Sequence, residues 1–341
     1  MKQARMVQPG RIVIEEVPRP EPGPDEVVVR VFTVGVCGSD VHAYLGEHPF
    51  IDCPIVPGHE FAGVIDAVGP DVAEWERGQK VTVEPSLVCG ACYNCRRGRY
   101  NICQNLQVIG CQTPGALAEY LAVPSSKLVP LPEGMSLEAG ALVEPAAVAV
   151  GIVRQGGYIG GKKAVVMGAG TIGLMTMQVA KAHGAAVVLQ TDVVDQRLER
   201  AAELGADATI NVAEQELAAA IEEAFGADGA DIVYECVGIE ATIASAIRVA
   251  RKGSRIVVGG VFGERTCVDM AYVQDHELEL VGSLMYRRPD FIEAVRLLDE
   301  KLIRGLPLVT HRFPLDRAAE AFETALQGGE TALKVLVQVP G

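Results

Sequence analysis

Long apolar runs, basic tracts and targeting signals are what this chain of 341 residues lacks. No segment offers the roughly 20 consecutive apolar residues that a membrane-spanning helix needs. The opening MKQARMVQPGRIVIEEV holds no signal-peptide apolar core, because Glu15 and Glu16 interrupt its short apolar stretch. These absences predict a cytoplasmic protein with no membrane partner. Positive charge is also scarce: 30 Lys and Arg stand against 44 Asp and Glu, a formal net charge of −14. That balance argues against a nucleic-acid partner. The single basic cluster, Cys95-Arg96-Arg97-Gly98-Arg99, reads as a solvated loop. There is one tryptophan, Trp75, which reads as a packing residue, and there is no internal repeat or low-complexity tract.

What is present is ordinary globular material: 49% apolar residues, 22% charged and 37 glycines, in a length sufficient for about two domains. Nine cysteines in a reducing compartment point to thiols or metal ligands rather than a disulfide framework. The first 140 or so residues are rich in Val, Pro and Gly, and runs such as Val27–Phe32 and Gly63–Val68 predict short strands between turns. From about Lys162 the texture changes. A strand at Ala164–Met167 leads into a glycine-rich turn and a helical pattern, followed by a strand at Ala186–Gln190 and a helix at Asp195–Leu204. Strands alternating with helices to about Leu280 predict a parallel, doubly wound sheet. The tail from Tyr286 carries two helical patterns and a final strand around Leu333–Val339.

Three constellations carry chemistry. In CGACYNCRRGRYNIC, the thiols of Cys89, Cys92, Cys95 and Cys103 have the spacing of a closed tetrahedral zinc shell, which is a structural rather than a catalytic arrangement. In GVCGSDVH and PGHE, Cys37, His59 and Glu60 offer the three ligands of an open catalytic zinc site. Asp40 is placed to accept the second ring N–H of His59. Ser39 and His42 are placed to carry a proton from a bound hydroxyl to solvent. Neighbours in an extended segment face opposite ways, so either the backbone bends at His59-Glu60 or Glu60 lies behind the metal. In the third constellation, Gly168, Gly170 and Gly173 form a GxGxxG turn between strand and helix, with Asp192 following Gly173 by 19 residues. An acid there favours NAD over NADP, although Arg197 is close by. Glu144, alone in the apolar run ALVEPAAVAV, reads either as a helix-start acid or as a carboxylate facing a cation.

With these motifs in view, the chain resembles the zinc-dependent medium-chain dehydrogenases, nearest to their sorbitol (polyol) and butanediol dehydrogenase branch. GVCGSDVH, PGHEFAG, the cysteine loop, ALVEP, GAGTIG, TDVVDQRLERAAELGAD and LVTHRFPLDRAAEAFET carry the likeness end to end. The resemblance implies an α/β protein in which a GroES-like, mainly β catalytic domain (residues 1–149 and 287–341) encloses a Rossmann doubly wound parallel-sheet domain (150–286). It implies two zinc ions per chain. Cys37, His59, Glu60 and Glu144 would surround the catalytic ion, Glu144 directly or through water. NAD would lie along Gly168, Gly170, Thr171, Ile172, Gly173, Asp192, Arg197, Cys236, Val237, Gly238, Val258, Gly259, Gly260, Ser283, Leu284 and Met285. It further implies a homodimer or homotetramer acting on a small-molecule alcohol or polyol.

Two departures bear on the substrate. Sorbitol enzymes usually carry an aromatic after the relay histidine and an Arg-Tyr pair near the cleft; here these positions read Ala43 and Met285-Tyr286. Donors that would hold a polyol are lost, which favours a smaller secondary alcohol or vicinal diol. The rival readings are a threonine or sugar-phosphate dehydrogenase, and a zinc- and NAD-binding protein or lyase without net redox turnover. Cys53, Cys111 and Cys267 read as buried or incidental, and His48, His183, His276 and His311 as surface or packing residues.

Overall fold

The computed structural model describes residues 1–329 and 331–340. The chain divides into two compact units, one made of Met1–Glu144, Arg287–Asp299 and Gly305–Gly341, the other of Pro145–Tyr286 and Glu300–Arg304.

The first unit opens with a hairpin of β1 (Lys2–Gln8) and β2 (Arg11–Glu16). Its main sheet contains β3 (Glu26–Val36), β4 (Glu60–Val68), β5 (Lys80–Val83), β8 (Tyr120–Pro124) and β9 (Leu128–Pro130). A two-stranded pair, β6 (Ser86–Leu87) with β7 (Gln107–Val108), brackets the cysteine loop, which holds the short helix α2 (Tyr93–Arg96). Helices α1 (Gly38–Leu45) and α3 (Leu137–Ala141) also belong here. Valine fills six of the eleven positions of β3, where β-branched side chains suit a pleated, buried surface. The core under β3 and β4 includes Val29, Val31, Val34, Phe61 and Ile65.

The second unit is a six-stranded parallel sheet. Its strands are β10 (Lys163–Met167), β11 (Val187–Asp192), β12 (Ala208–Asn211), β13 (Ala230–Glu235), β14 (Ala250–Val258) and β15 (Glu279–Gly282), in the order β12-β11-β10-β13-β14-β15. Counted along the chain this is 3-2-1-4-5-6, the dinucleotide-binding order, with its switch point between β10 and β13. Helices α4 (Val143–Gln155), α5 (Thr171–Ala182), α6 (Asp195–Glu203), α7 (Leu217–Phe225), α8 (Glu240–Val249) and α9 (Met270–Asp275) accompany it. Val165, Val233 and Ile256 run through its core, as expected of strands covered on both faces.

The tail returns to the first unit through α10 (Arg288–Asp299), β16 (Val309–Pro314), α11 (Ala318–Gln327) and β17 (Lys334–Gln338). There β17 pairs antiparallel with β3, so the last strand lies two places from β4 in a sheet ordered β16-β17-β3-β4-β5-β9. No helix of the described residues is long and apolar enough to cross a membrane.

Candidate metal and cofactor sites

The four thiols of the cysteine loop converge. Sγ–Sγ separations are 4.0 Å for Cys89–Cys95, 3.4 Å for Cys92–Cys95, 3.9 Å for Cys92–Cys103 and 3.5 Å for Cys89–Cys103. Four sulfurs each about 2.3 Å from a tetrahedral zinc would lie about 3.8 Å apart, so the loop fits the ion. Backbone N–H groups of Cys89 and Asn105 point at the Cys103 sulfur at 3.4 Å each, and these bonds hold its thiol below the ordinary range. Amides of Gln104 and Cys95 pull Cys92 down to about 6. Both shifts favour the thiolate that binds metal, whereas burial and the neighbouring thiols push Cys95 up to about 12.

In the second cluster the ligand atoms of Cys37, His59 and Glu60 lie within 4.8 Å of one another. Cys37 sits at the N-cap of α1, its N–H donating to Asp40 Oδ2 at 3.0 Å. The chain bends at Gly58, which has a φ of +102° and whose Cβ would press to 2.8 Å from Val34. Glu60 then opens β4 opposite Gly35 of β3. The side-chain atoms of the adjacent His59 and Glu60 thus come together beside Cys37. A thiol, an imidazole and a carboxylate form a borderline-soft set that suits zinc and leaves a fourth position for substrate. Ser39 and His42, both half-buried, stand at i and i+3 on α1 and share a face. Asp40 Oδ1 lies 3.6 Å from His59 Nδ1. Burial raises the Asp40 carboxyl. Burial also opposes a charged His59 ring, yet the charges of Asp40 and Cys37 outweigh it and lift the ring well above its usual pKa.

Glu144 is buried in the first turn of α4, outside the span shared by the three ligands. Its charge is felt by Lys334, a residue that sequence reading left inside its final strand without a role. Lys334 is 4% exposed, and its Nζ donates to Glu60 Oε1 at 2.8 Å, to Glu60 Oε2 at 2.7 Å and to the Val36 carbonyl at 3.2 Å. These side chains meet across β3 because Gly35 has no side chain: a Cβ there would stand 2.0 Å from Glu60 Oε2. The available signal was a lone cation in an apolar strand, as Glu144 was a lone acid in an apolar run. Cys111, read as buried or incidental, is buried, with its Sγ 3.9 Å from His59 Nδ1. His48 lies near enough to the site that burial, together with the charges of His42 and His59, pushes its pKa down. Ala43 is buried in the core.

In the second unit Gly168 takes a φ of +90°, and a Cβ on Gly173 would come within 1.7 Å of the Gly168 carbonyl, so turn and helix need both glycines. Gly170 differs. It caps α5, ahead of Thr171 and Ile172, and a Cβ on it would meet no protein atom within 4 Å. The protein leaves open space at a helix N-terminus, a cradle that fits a pyrophosphate. Asp192 ends β11 and ties this turn down. Its Oδ2 accepts from the Ala169 N–H at 2.6 Å, and its Oδ1 accepts from Val193 and Val194 at 2.8 and 3.0 Å. Arg197 Nη1 stands 3.9 Å from Asp192 Oδ2. The turn Cys236-Val237-Gly238 follows β13, Val258 ends β14 before Gly259 and Gly260, and Ser283, Leu284 and Met285 follow β15. All of these lie at the carboxyl ends of the strands. Burial raises the Cys236 thiol to about 12.

Comparisons with known proteins agree with this anatomy. Residues 23–133 match the family described as alcohol dehydrogenase GroES-like domain, and residues 171–300 match the zinc-binding dehydrogenase family. Human sorbitol dehydrogenase is 37% identical over 340 residues, covering 97% of this chain and 93% of that protein. Among solved structures, an Escherichia coli oxidoreductase/dehydrogenase of unknown specificity superposes with a TM-score of 0.95 at 32% identity, covering 100% of both chains. The 2R,3R-butanediol dehydrogenase of Bacillus subtilis gives 0.92 at 30% identity, covering 100% of this chain and 99% of the other. The chain belongs to the zinc-dependent medium-chain alcohol/polyol dehydrogenase family, in its sorbitol and butanediol dehydrogenase branch, and is an NAD-dependent oxidoreductase of alcohols.

Proposed function

We propose that this enzyme oxidises a small secondary alcohol or vicinal diol to the ketone. The observation that carries the reading is the convergence of Cys37, His59 and Glu60 beside a helix face bearing Ser39 and His42. Bound at these sites, zinc supplies Lewis acidity that lowers the pKa of the substrate hydroxyl, and NAD+ supplies the hydride acceptor. Cys37, His59 and Glu60 hold the catalytic ion, with Glu144 close behind, and Asp40 orients the His59 ring. Ser39 takes the hydroxyl proton and His42 passes it to solvent. Cys89, Cys92, Cys95 and Cys103 hold a second, structural ion, which makes two per chain. Gly168 to Gly173, Asp192, Arg197, Cys236 to Gly238, Val258 to Gly260 and Ser283 to Met285 line the cofactor. We assign residues 1–149 and 287–341 to the catalytic domain and 150–286 to the cofactor domain of a cytoplasmic homodimer or homotetramer.

The substrate choice rests on Met285 and Ala43, which offer no hydrogen bond where a polyol would need one. The name of the Bacillus subtilis relative, a butanediol dehydrogenase, points the same way. The test is NADH formation from 2,3-butanediol, sorbitol, threonine and a sugar phosphate, followed by kcat/KM on each. The diol is expected to lead, and chelation of the metal to abolish turnover. No NADH from any of them would sink the redox reading, and a lead for threonine or the phosphate would redirect it. His59→Ala is expected to remove turnover while leaving NADH binding detectable.

A further inference from the structure

A buried carboxylate oxygen without a partner costs free energy, and Glu235 has one. It ends β13 and is fully buried. Its Oε1 accepts from the Val237 N–H at 2.9 Å, the Gly238 N–H at 2.8 Å and Thr242 Oγ1 at 2.7 Å. Its main-chain carbonyl accepts from Gly259 and Gly260 at 2.8 and 3.0 Å. Oε2 has no partner among the described residues. It lies against Gly260, where a Cβ would come within 2.7 Å of it. One acid therefore joins the turns that leave β13 and β14.

Fixing those turns needs only an acceptor at the Oε1 position, which a glutamine would provide equally well. What Oε2 adds is negative charge, and the three donors to Oε1 are all neutral groups, so no formal cation offsets it. The place of that charge is informative. In a 3-2-1-4-5-6 sheet the two halves each take one nucleotide of a dinucleotide. Asp192, at the end of β11, marks the first half as the adenosine side, which leaves β13 to β15 for the nicotinamide nucleotide. The nicotinamide ring is cationic in NAD+ and neutral in NADH. We infer that Glu235 is a positioning residue with a second role, a buried charge that favours the oxidised cofactor over the reduced one. Such a bias strengthens NAD+ binding relative to NADH, and so favours loading of the oxidised cofactor in a mixture of the two. The inference rests on the reading that NAD lies across the carboxyl ends of this sheet.

The test is the pair of dissociation constants for NAD+ and NADH, measured by fluorescence and calorimetry without substrate. Glu235→Gln keeps the acceptor and removes the charge. Its expected effect is a loss of about fivefold or more in NAD+ affinity, with NADH affinity changed by less than about twofold. Glu235→Asp, which keeps both the charge and an acceptor, serves if the glutamine variant does not fold; it is expected to preserve the ratio of the two constants even where both nucleotides bind more weakly, and a shifted ratio there would overturn the charge role. An unchanged ratio in the glutamine variant, with both nucleotides weakened alike or neither affected, would overturn it too. Wild-type protein that bound neither nucleotide would overturn the cofactor reading and this inference with it, a result distinct from an unchanged ratio.

Discussion

An ammonium group has three protons to donate, and Lys334 directs them at both oxygens of Glu60 and at the carbonyl of Val36, the residue before Cys37. It thereby ties β3, which ends just before the proposed ligand Cys37, to β4, which opens on the proposed ligand Glu60. Burial alone would lower the pKa of such a lysine, but the carboxylate of Glu60 and the charge of Cys37 outweigh it and raise it. The ammonium is therefore charged throughout the neutral range. Removing one member of a buried ion pair costs about 3–5 kcal/mol, because the other charge stays buried without compensation. Lys334→Met is expected to lose that much stability in urea titrations of chelator-treated protein. Zinc should recover part of it, since a divalent ion gives Glu60 a replacement cation. Equal stability of variant and wild type without metal would deny Lys334 this part.

At the scale of one element, the cysteine loop has little apolar material of its own. Its four sulfurs all lie within 4.8 Å of one another, and most of the residues between them are exposed or half-buried. A loop so built would depend on the proposed ion, because metal binding to such a site is also folding free energy. Arg96, Arg97 and Arg99 are exposed on it. Chelation is expected to open the loop to trypsin at these arginines, with the fragments identified by mass spectrometry. Cleavage at the same rate with and without zinc would show that the loop holds its form unaided. This element was the most legible part of the chain, since all four ligands fall within fifteen residues and a spacing of three or eight is visible in one dimension. The glycine-rich turn was legible for a related reason. Gly168, Gly170 and Gly173 act within one strand–turn–helix unit, and the first and last of them have local steric causes.

Across the whole molecule, two units carry separate cores, one beneath β3 and β4 and one within the parallel sheet. Separate cores permit separate responses to ligands, because opening free energies differ from region to region and binding shifts only the states that bind. Hydrogen exchange is expected to slow on NADH addition at the amides of Val166–Thr176 and Tyr234–Gly238. On chelation it is expected to quicken at Cys37–His42 and through the cysteine loop. A uniform change over the whole chain in either experiment would mean that the two units open as one. The alternation of strands and helices announced the parallel sheet, and the residue texture before Lys162 announced a β-rich partner. The return of the tail was implied only through family resemblance, because nothing local in Leu333–Val339 says which strand it will join.

What depends on near neighbours could be read along the chain: the cysteine loop with its metal-ligand spacing, the βαβ turn with its acid 19 residues on, and the residue types at Cys37, His59 and Glu60. Tertiary structure alone decided how those ligands are held. Lys334 reaches Glu60 over a separation of 274 residues, across a strand that must carry glycine at position 35. Cys111 meets His59 at a separation of 52, and Glu235 joins two turns more than twenty residues apart in sequence. Spacing in one dimension encodes contacts within a loop or a turn. A contact between strands depends on sheet order and register, which the whole core decides together.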